Sequence, residues 1–477
     1  MRQTDASPTP ALVHELSPPP QAEAVFMRLC QKPHCLFLDS AMRHPTLGRY
    51  SFVTADPFDY WEQPADGSDG LAHWAARAAT YTTATLPGLP PFQGGAAGLL
   101  GYELGRSLEH LPTARFDEFG VPALALGLYD VVVAFDHQTS QAWIVSQGFP
   151  ELDPARRRQC AERRLKEFLR LLESPLPPVD AAPATPARPT IRREQLAPQH
   201  PLPGIPDLTS NFSKSDYLAA VRRVVDYIVA GDVFQVNLGQ RLLHPARGNS
   251  LALYLRLRQR NPAPFAGYFD LGEFQVVSAS PERFLQVRHD RVETRPIKGT
   301  RRRGGDPQTD RRIAEELRAS AKDRAENVMI VDLLRNDLSR VCRPESVGVI
   351  RLCDVESYAH VLHLVSTLRG RLRADCGPLD LVRAAFPGGS ITGAPKVRAM
   401  EIIAELEPTA RGVYCGALGY LGFDGAMDLS ILIRTITAGR GWWHSAVGGG
   451  IIAASTAEQE YQETLDKAEG LIQAMNE

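Results

Sequence analysis

The stretch SKSDYLAAVRRVVDYIVAGDVFQVNLGQRLL, residues 213–243, contains a helical pattern followed directly by a strand pattern. Its first part repeats apolar residues at intervals of three and four, which is the spacing of one buried helix face. That face comprises Tyr217, Leu218, Val221, Val224, Val225 and Ile228. Gly231 is typical of a helix end, and the residues after it favour a strand. We therefore predict a fold that mixes helices and strands.

The same two patterns recur on both sides of this stretch. Strand patterns occur at CLFLDS (35–40), GRYSFV (48–53), GGAAGLLGYELG (94–105), DVVVAFD (130–136), FQVVSAS (274–280) and TRPIKGT (294–300). Helical patterns occur at residues 155–172, IAEELRASAKDRAENVMIVDLLRND (313–337) and EQEYQETLDKAEGL (458–471). These elements predict an α+β or α/β fold with a substantial sheet.

Residues 175–210 are rich in proline and poor in periodic apolar residues. Such a composition disfavours helix and strand and predicts a linker that runs over the surface. It divides the chain into an N-terminal segment, residues 1–174, and a C-terminal segment, residues 211–477. The N-terminal segment has no obvious titratable cluster, which favours a scaffold role for it, with room for a ligand pocket.

The composition argues against several classes of function. The 477 residues include 53 lysines and arginines and 55 aspartates and glutamates, a net charge of −2, so no overall field attracts nucleic acid or an anionic membrane. The seven cysteines are odd in number and lack a CxxC pair, which is typical of a reduced compartment. No leader-like segment opens the chain, and no apolar run reaches about 18 residues. We predict a cytoplasmic protein without nucleic acid or membrane partners.

Two residues at predicted strand ends could carry chemistry. Lys298 lies in RPIKGT, where it is either a surface cation or, if partly desolvated, a nucleophile. Glu282 follows Pro281 in SASPERF and is either part of a surface turn or a general acid beside an amine. The residues alone leave both alternatives open.

Two helical patterns carry carboxylates three residues apart, Asp323 with Glu326 and Glu460 with Glu463. This spacing places each pair on one helix face. Facing each other across a cleft, the pairs would offer the oxygen ligands that Mg²⁺ prefers. Taken singly, each pair is more typical of a solvated helix face.

Two glycine clusters could bind an anion through free backbone N–H groups, or could be structural turns. They are FPGGSITGAPKVRAMEII (386–403), which lacks the P-loop spacing, and AVGGGIIAAS (446–455). Arg434 lies in the β-branched run ILIRTIT and needs an anionic partner if it is buried. That partner is either a ligand or a protein carboxylate.

Together these motifs resemble those of the chorismate-utilising enzymes, which include anthranilate, isochorismate and salicylate synthases and component I of aminodeoxychorismate synthase. The motifs are SPERF, PIKGT, KDRAENVMIVDLLRNDL, PGGSITGAPK, VYCGALGYLGFDG, IRT and GGGIIAASTAEQEYQETLDKA. They cover residues 211–477 densely, and LDSAMRHPTLGRYSFVTADPF (38–58) extends the resemblance more weakly towards the N-terminus. The resemblance implies an α+β fold of two large stacked β-sheets with helices packed outside, in which the N- and C-terminal segments interleave.

The resemblance also implies roles for individual residues. Glu326 and Glu463 match magnesium ligands, with Asp323 and Glu460 beside them, and His363 matches an active-site histidine. Residues that match the substrate site are Gln235, Gly299, Thr300, Thr392, Gly393, Tyr414, Arg434, Gly448, Gly449, Gly450 and Lys467. In related large subunits, a tryptophan pocket forms where this chain has LDS (38–40) and NPAPF (261–265).

Two positions separate the activities within this family. Anthranilate synthases usually carry alanine at the position of Lys298, whereas enzymes that read PIKGT use this lysine as a nucleophile. Isochorismate and salicylate synthases have a water-activating lysine where this chain has Gln235. The resemblance therefore implies that chorismate and ammonia give 4-amino-4-deoxychorismate through a covalent lysine intermediate, with Glu282 as the acid.

The implied product serves 4-aminobenzoate and folate biosynthesis. The chain has no glutaminase motif of the GxCxG type with a partner histidine and glutamate, so a separate glutamine amidotransferase subunit is expected to supply ammonia. Two alternatives are an anthranilate synthase component I and a non-catalytic, ligand-sensing paralogue.

Overall fold

A computed structural model describes residues 11–42, 47–179, 190–358 and 361–476. Residues 180–189 of the predicted linker and residues 43–46 of the LDSAMRHPTLGRYSFVTADPF motif lie outside the described residues.

Helices and strands are mixed along the described chain, as the sequence predicts. The helices are α1 (Ala22–Leu29), α2 (Gly70–Ala78), α3 (Pro154–Glu173), α4 (Lys214–Val229), α5 (Ser250–Arg260), α6 (Pro307–Ala319), α7 (Ala321–Ser339), α8 (Pro378–Ala385), α9 (Lys396–Leu406) and α10 (Ala457–Asn476). The strands are β1 (Leu12–Glu15), β2 (Leu36–Asp39), β3 (Tyr50–Thr54), β4 (Asp59–Gln63), β5 (Gly95–Leu100), β6 (Leu124–Tyr129), β7 (Val131–Asp136), β8 (Gln141–Ser146), β9 (His200–Pro201), β10 (Thr209–Ser210), β11 (Gln235–Pro245), β12 (Phe265–Asp270), β13 (Phe274–Ser280), β14 (Arg283–Arg288), β15 (Arg291–Thr294), β16 (Ile297–Arg302), β17 (Gly348–Ser357), β18 (Val361–Arg371), β19 (Gly393–Ala394), β20 (Ala417–Gly422), β21 (Met427–Ile431), β22 (Thr435–Gly439) and β23 (Trp442–Ile451).

Within the described ranges the strands form two antiparallel sheets. The larger has 13 strands in the order β1-β8-β7-β3-β2-β12-β13-β22-β23-β11-β10-β9, with β19 beside β11. The smaller has 10 strands in the order β16-β18-β15-β14-β21-β20-β5-β6-β4, with β17 also paired to β18. Helices α1, α3, α5 and α10 pack on the larger sheet, and α6 and α7 pack on the smaller.

Strands from both segments of the chain lie side by side in each sheet. In the larger sheet Phe37 of β2 pairs with Tyr268 of β12, and in the smaller sheet Gly98 of β5 pairs with Gly419 of β20. An apolar core between the sheets is formed by buried side chains from both, including Leu36, Phe52, Leu99, Phe269, Val276, Leu418 and Tyr420. The predicted α+β fold of two stacked, interleaved sheets with outer helices is confirmed.

The helix predicted at the opening stretch is α4. Its N-cap residue Ser213 accepts a hydrogen bond from the backbone N–H of Asp216 at 3.1 Å. The predicted face is buried at Tyr217, Leu218, Val221 and Val224. This face packs against Val236 and Leu238 of the strand that follows, β11, whose first residue is Gln235.

The long helical pattern at residues 313–337 forms two helices rather than one. Ser320 leaves the helical conformation with a ψ of 108° and caps α7 by accepting the N–H of Asp323 at 3.3 Å. The break separates α6 from α7, and α7 carries Glu326.

Part of the predicted linker is regular structure. His200–Pro201 and Thr209–Ser210 form β9 and β10, which extend the larger sheet beside β11, so the expectation that this stretch contains no strand is wrong there. Backbone pairing with an existing sheet edge explains these strands despite their composition. The segment boundaries at 174 and 210 stay predictions.

All seven cysteines are free, and six of them are buried. No helix of the described ranges has the length and the apolar composition needed to cross a membrane.

Candidate active site

Lys298 lies on β16, at the edge of the smaller sheet beside β18. The register of this pair shifts between Lys298 and Thr300, which marks a bulge. Gly299 at the bulge has a φ of 75°, and a Cβ there would lie 2.9 Å from Cγ of Asp323. The glycine of PIKGT therefore permits both the bulge and the close approach of α7.

Lys298 and Glu282 contact the same residue, Ser390. The Lys298 Nζ donates a hydrogen bond to the backbone carbonyl of Ser390 at 3.1 Å. The Ser390 hydroxyl donates to Oε1 of Glu282 at 2.9 Å. Glu282 is 4% exposed. The structure thus brings the candidate nucleophile and the candidate acid together.

Burial changes the acidity of both groups in the direction that catalysis requires. Burial raises the pKa of Glu282 to about 7, although the Ser390 hydrogen bond and the Lys298 charge oppose the rise. Burial lowers the pKa of Lys298, against the opposing charges of Glu326 and Glu282. Glu282 therefore keeps a proton to nearly neutral pH, and Lys298 becomes a free amine at a lower pH than an exposed lysine does.

Ser390 is part of a 3₁₀ turn, Gly389–Ile391, that is anchored on two sides. A Cβ on Gly389 would lie 2.6 Å from Cδ2 of Leu333 on α7, so a larger residue here would displace the Leu333 side chain. On the other side, the carbonyl of Ile391 accepts a hydrogen bond from Nη1 of Arg411 at 3.1 Å. Arg411 is itself held by a buried ion pair with Glu407 at 2.6 Å. The turn is therefore contacted by α7 on one side and by the buried Arg411 on the other.

His363 faces Thr300 across the β16–β18 pair. A hydrogen bond of 2.8 Å joins Nδ1 of His363 to the hydroxyl of Thr300. Burial, assisted by the charge of Arg434, lowers the pKa of His363 to about 4. The imidazole is therefore neutral at physiological pH and can serve as a hydrogen-bonding group rather than as a cation.

The two predicted acidic helix faces lie opposite each other. Lys322 on α7 links them, with its Nζ 4.0 Å from Oε1 of Glu326 and 3.7 Å from Oε1 of Glu460 on α10. A Cβ on Gly449 would lie 3.2 Å from Oε2 of Glu460 and 3.4 Å from Oε1 of Glu463. The acidic faces of α7 and α10 and the glycine strand β23 thus enclose one space.

The carboxylates of this space suit a hard cation. Burial raises the pKa of Glu326, and the charges of Asp323 and Glu463 raise it further. Burial by itself would raise the pKa of Glu463. The charge and the hydrogen bond of Lys467 outweigh this effect, so the pKa of Glu463 is lowered. No group of three or more His, Cys, Asp or Glu residues in the described ranges is arranged to hold a metal by itself. Two carboxylates fit Mg²⁺, which fills its other positions with water or substrate oxygens; its binding stays a prediction.

The triple glycine on β23 allows polar side chains to crowd the strand. A Cβ on Gly448 would lie 2.9 Å from the hydroxyl oxygen of Tyr414, and one on Gly450 would lie 3.0 Å from the amide of Gln235. The Lys467 Nζ donates a hydrogen bond to the carbonyl of Gly448 at 2.9 Å. Any larger residue would push these side chains out of the space.

Gln235 is fully buried, and its amide nitrogen and oxygen have no hydrogen-bond partner among the described residues. Gly393, with a φ of 151°, packs so closely that a Cβ would overlap the Gln235 carbonyl. Next to it, Thr392 is also fully buried and donates its hydroxyl to the carbonyl of Gly388 at 3.2 Å. A buried amide without partners is available to a ligand.

Arg434 lies at a left-handed turn within the β-branched run ILIRTIT. Arg434 lies between β21 and β22 with a φ of 53°, and its carbonyl accepts the N–H of Ala279 at 3.0 Å. The left-handed conformation interrupts the β-branched run. The half-buried guanidinium, whose pKa is lowered by burial, forms no ion pair within the described ranges. It is therefore available to an anionic ligand, rather than being neutralised by a protein carboxylate.

The structure brings the sequence-predicted residues into one region, and their individual roles stay predictions. Sequence reasoning missed Ser390, the residue that joins Lys298 to Glu282, and it missed the ion pair of Arg411 with Glu407. Ser390 lies inside the quoted PGGSITGAPK motif, but a serine among glycines is also typical of any turn.

A cavity of about 510 Å³ lies elsewhere, and both of the motifs associated with a tryptophan pocket line it. Asp39 and Ser40 come from the first motif, and Pro264 and Phe265 from the second. The described fold therefore contains space for a ligand at these motifs.

Comparisons with known proteins identify related sequences and a related fold. The profile of the family described as chorismate binding enzyme matches residues 38–473. The chain is 44% identical to anthranilate synthase component 1 of Thermus thermophilus, over 82% of this chain and 79% of that protein. It is 40% identical to aminodeoxychorismate synthase component 1 of Salmonella typhimurium, over 95% of this chain and 96% of that protein. The crystal structure of anthranilate synthase component I from Streptococcus pneumoniae superposes with a TM-score of 0.75 at 30% identity, covering 90% of this chain and 93% of that one.

Proposed function

Because the chain belongs to the family of chorismate-binding enzymes, we propose that it converts chorismate and ammonia into 4-amino-4-deoxychorismate. The observation that carries the proposal is the contact of Ser390 with both Lys298 and Glu282. It holds an amine of lowered pKa beside a carboxyl of raised pKa. The match to relatives named aminodeoxychorismate synthase component 1 over nearly the whole chain supports the same reaction.

In the first step the free amine of Lys298 attacks C2 of chorismate. Glu282 gives its proton to the 4-hydroxyl, and water leaves from C4 as the ring double bonds shift. In the second step ammonia attacks C4, the double bonds shift back, and the bond between C2 and the lysine nitrogen breaks. The proton that ammonia brings returns Glu282 to its acid form, so the net change is replacement of hydroxyl by amine.

Mg²⁺ is part of the proposal, and Glu326 and Glu463 would hold it, with Asp323 and Glu460 beside them. Bound there, the ion would neutralise the ring carboxylate of chorismate. Arg434, which forms no ion pair among the described residues, is suited to bind the second substrate carboxylate.

We also propose that a separate glutamine amidotransferase subunit supplies ammonia, and that the reaction takes place in the cytoplasm for 4-aminobenzoate and folate synthesis. The names of the relatives, each a component 1, support a partner subunit. Seven free cysteines support a reducing compartment.

The main alternative is anthranilate synthesis, which the 44% identity to an anthranilate synthase component 1 favours. The test is to incubate the purified chain with chorismate, ammonium and Mg²⁺, with and without an added aminodeoxychorismate lyase. The proposal predicts 4-aminobenzoate only when the lyase is present. Fluorescent anthranilate without the lyase would replace the proposal by the alternative, and absence of any turnover would favour the non-catalytic paralogue.

A further inference from the structure

We propose that Ser390 is a positioning residue, whose carbonyl orients the Lys298 amine and whose hydroxyl orients the Glu282 carboxyl for one concerted step. The inference rests on the proposed function, because it concerns how nucleophile and acid act together. Nothing in the sequence patterns singled out this residue.

The contacts of Ser390 connect two groups that come from different strands. Lys298 is on β16, and Glu282 follows the end of β13. The amine lies 3.1 Å from the Ser390 carbonyl, and the carboxyl lies 2.9 Å from its hydroxyl. Because both contacts are made by one residue that is 6% exposed, a change in its position alters both catalytic groups at once.

The turn that carries Ser390 is built to stay in place. Gly389 packs against Leu333, and the buried Arg411 holds the carbonyl of Ile391. The hydroxyl of Thr392 closes the turn on the carbonyl of Gly388. These anchors lie on both sides of Ser390 and give it the rigidity that a positioning residue needs.

The hydroxyl has an electrostatic effect that a purely structural serine would lack. It donates to a carboxyl that is almost fully buried, so water is poorly placed to replace it. A hydrogen bond to the charged form of an acid lowers its pKa, and Ser390 acts on Glu282 in this direction. Removal of the hydroxyl should therefore raise the pKa of Glu282 further.

The test measures the pH dependence of chorismate consumption in wild type, Ser390→Ala and Ser390→Thr. The reaction requires the acid form of Glu282. In a plot of the logarithm of the rate against pH, the slope therefore falls by one unit at the pKa of Glu282, and this change of slope is the break. In Ser390→Ala we expect this break to move up by about one pH unit and the maximal rate to fall about tenfold. Ser390→Thr keeps a hydroxyl and should keep the wild-type break.

Two controls separate positioning from general damage. Ser146→Ala removes a different buried hydroxyl, which donates to the carbonyl of Ala161 at 3.1 Å outside the site, and it should change neither the break nor the rate. Glu282→Gln should lack the break altogether, which assigns it to this carboxyl.

If the break in Ser390→Ala stays at the wild-type pH, the inference is overturned, whether or not the rate falls. Ser390 would then have only a structural role. Failure of the proposed function has a different signature: the wild-type protein would form no lysine adduct with chorismate. Chorismate consumption reports the break whichever product is formed, so the two failures are distinguishable.

Discussion

Substitution of Glu282 by glutamine removes the candidate proton donor with little change of shape. The glutamine carbonyl can still accept the Ser390 hydroxyl, which lies 2.9 Å from Oε1 of the native carboxyl. We therefore expect Glu282→Gln to fold normally and to bind chorismate. What it loses is the proton for the departing 4-hydroxyl.

The structure sets the expected magnitude. Glu282 is only 4% exposed, so bulk water is poorly placed to act as a substitute acid. Loss of a general acid usually costs about two to four orders of magnitude, and we expect the first step to slow by this range. With a pKa of about 7, about half of the wild-type carboxyl is protonated at pH 7 and about a tenth at pH 8.

The assay follows the first step alone. With chorismate and Mg²⁺ but no ammonia, intact-protein mass spectrometry records an adduct of chorismate less water against time at several pH values. The wild-type rate should lose one unit of logarithmic slope near pH 7, whereas the slower Glu282→Gln rate should not. A loss below about tenfold, or an unchanged break, would show that another group donates the proton.

Three further predictions concern other parts of the site. Lys298→Ala should form no adduct with chorismate, and Lys298→Arg should form none either, because guanidinium stays protonated. Peptide mapping of the adduct checks this. A near-normal rate of 4-amino product formation by the alanine variant would contradict the covalent step. Glu326→Gln and Glu463→Gln should each raise the Mg²⁺ concentration needed for turnover steeply while leaving the melting temperature unchanged, and unaltered Mg²⁺ titrations would refute the ligand assignment. Gly393→Ala should destabilise the fold by about 1–3 kcal/mol in a denaturant titration because its Cβ overlaps a strand carbonyl, whereas Gly348→Ala, with open space around it, should not.

Elements with strong local periodicity could be predicted from the sequence, as α4 and β13 show. The conformations of Ser320 and Arg434 could not, because each interrupts an otherwise regular pattern, Ser320 by capping α7 locally and Arg434 with a left-handed backbone. For Arg434 the hydrogen bond that accompanies the left-handed turn comes from Ala279 on another strand.

Individual candidate site residues could be predicted from the sequence, but their arrangement in space could not. Ser390 is separated by 92 residues from Lys298 and by 108 from Glu282 along the chain. No local pattern contains information about contacts at that distance. Resemblance to a family predicts which residues form the site, and the structure adds Ser390, which contacts both Lys298 and Glu282.

The pairing of β5 with β20 has a consequence for how this protein is made. During synthesis the edge of β5 leaves the ribosome long before its neighbour β20 exists, and β2 must likewise wait for β12. The nascent N-terminal segment therefore carries unpaired apolar strand edges for most of translation, which is when association with other chains is easiest. Folding is completed only after the C-terminal segment emerges, so a chain truncated there would be a substrate for chaperones and proteases rather than a smaller working protein.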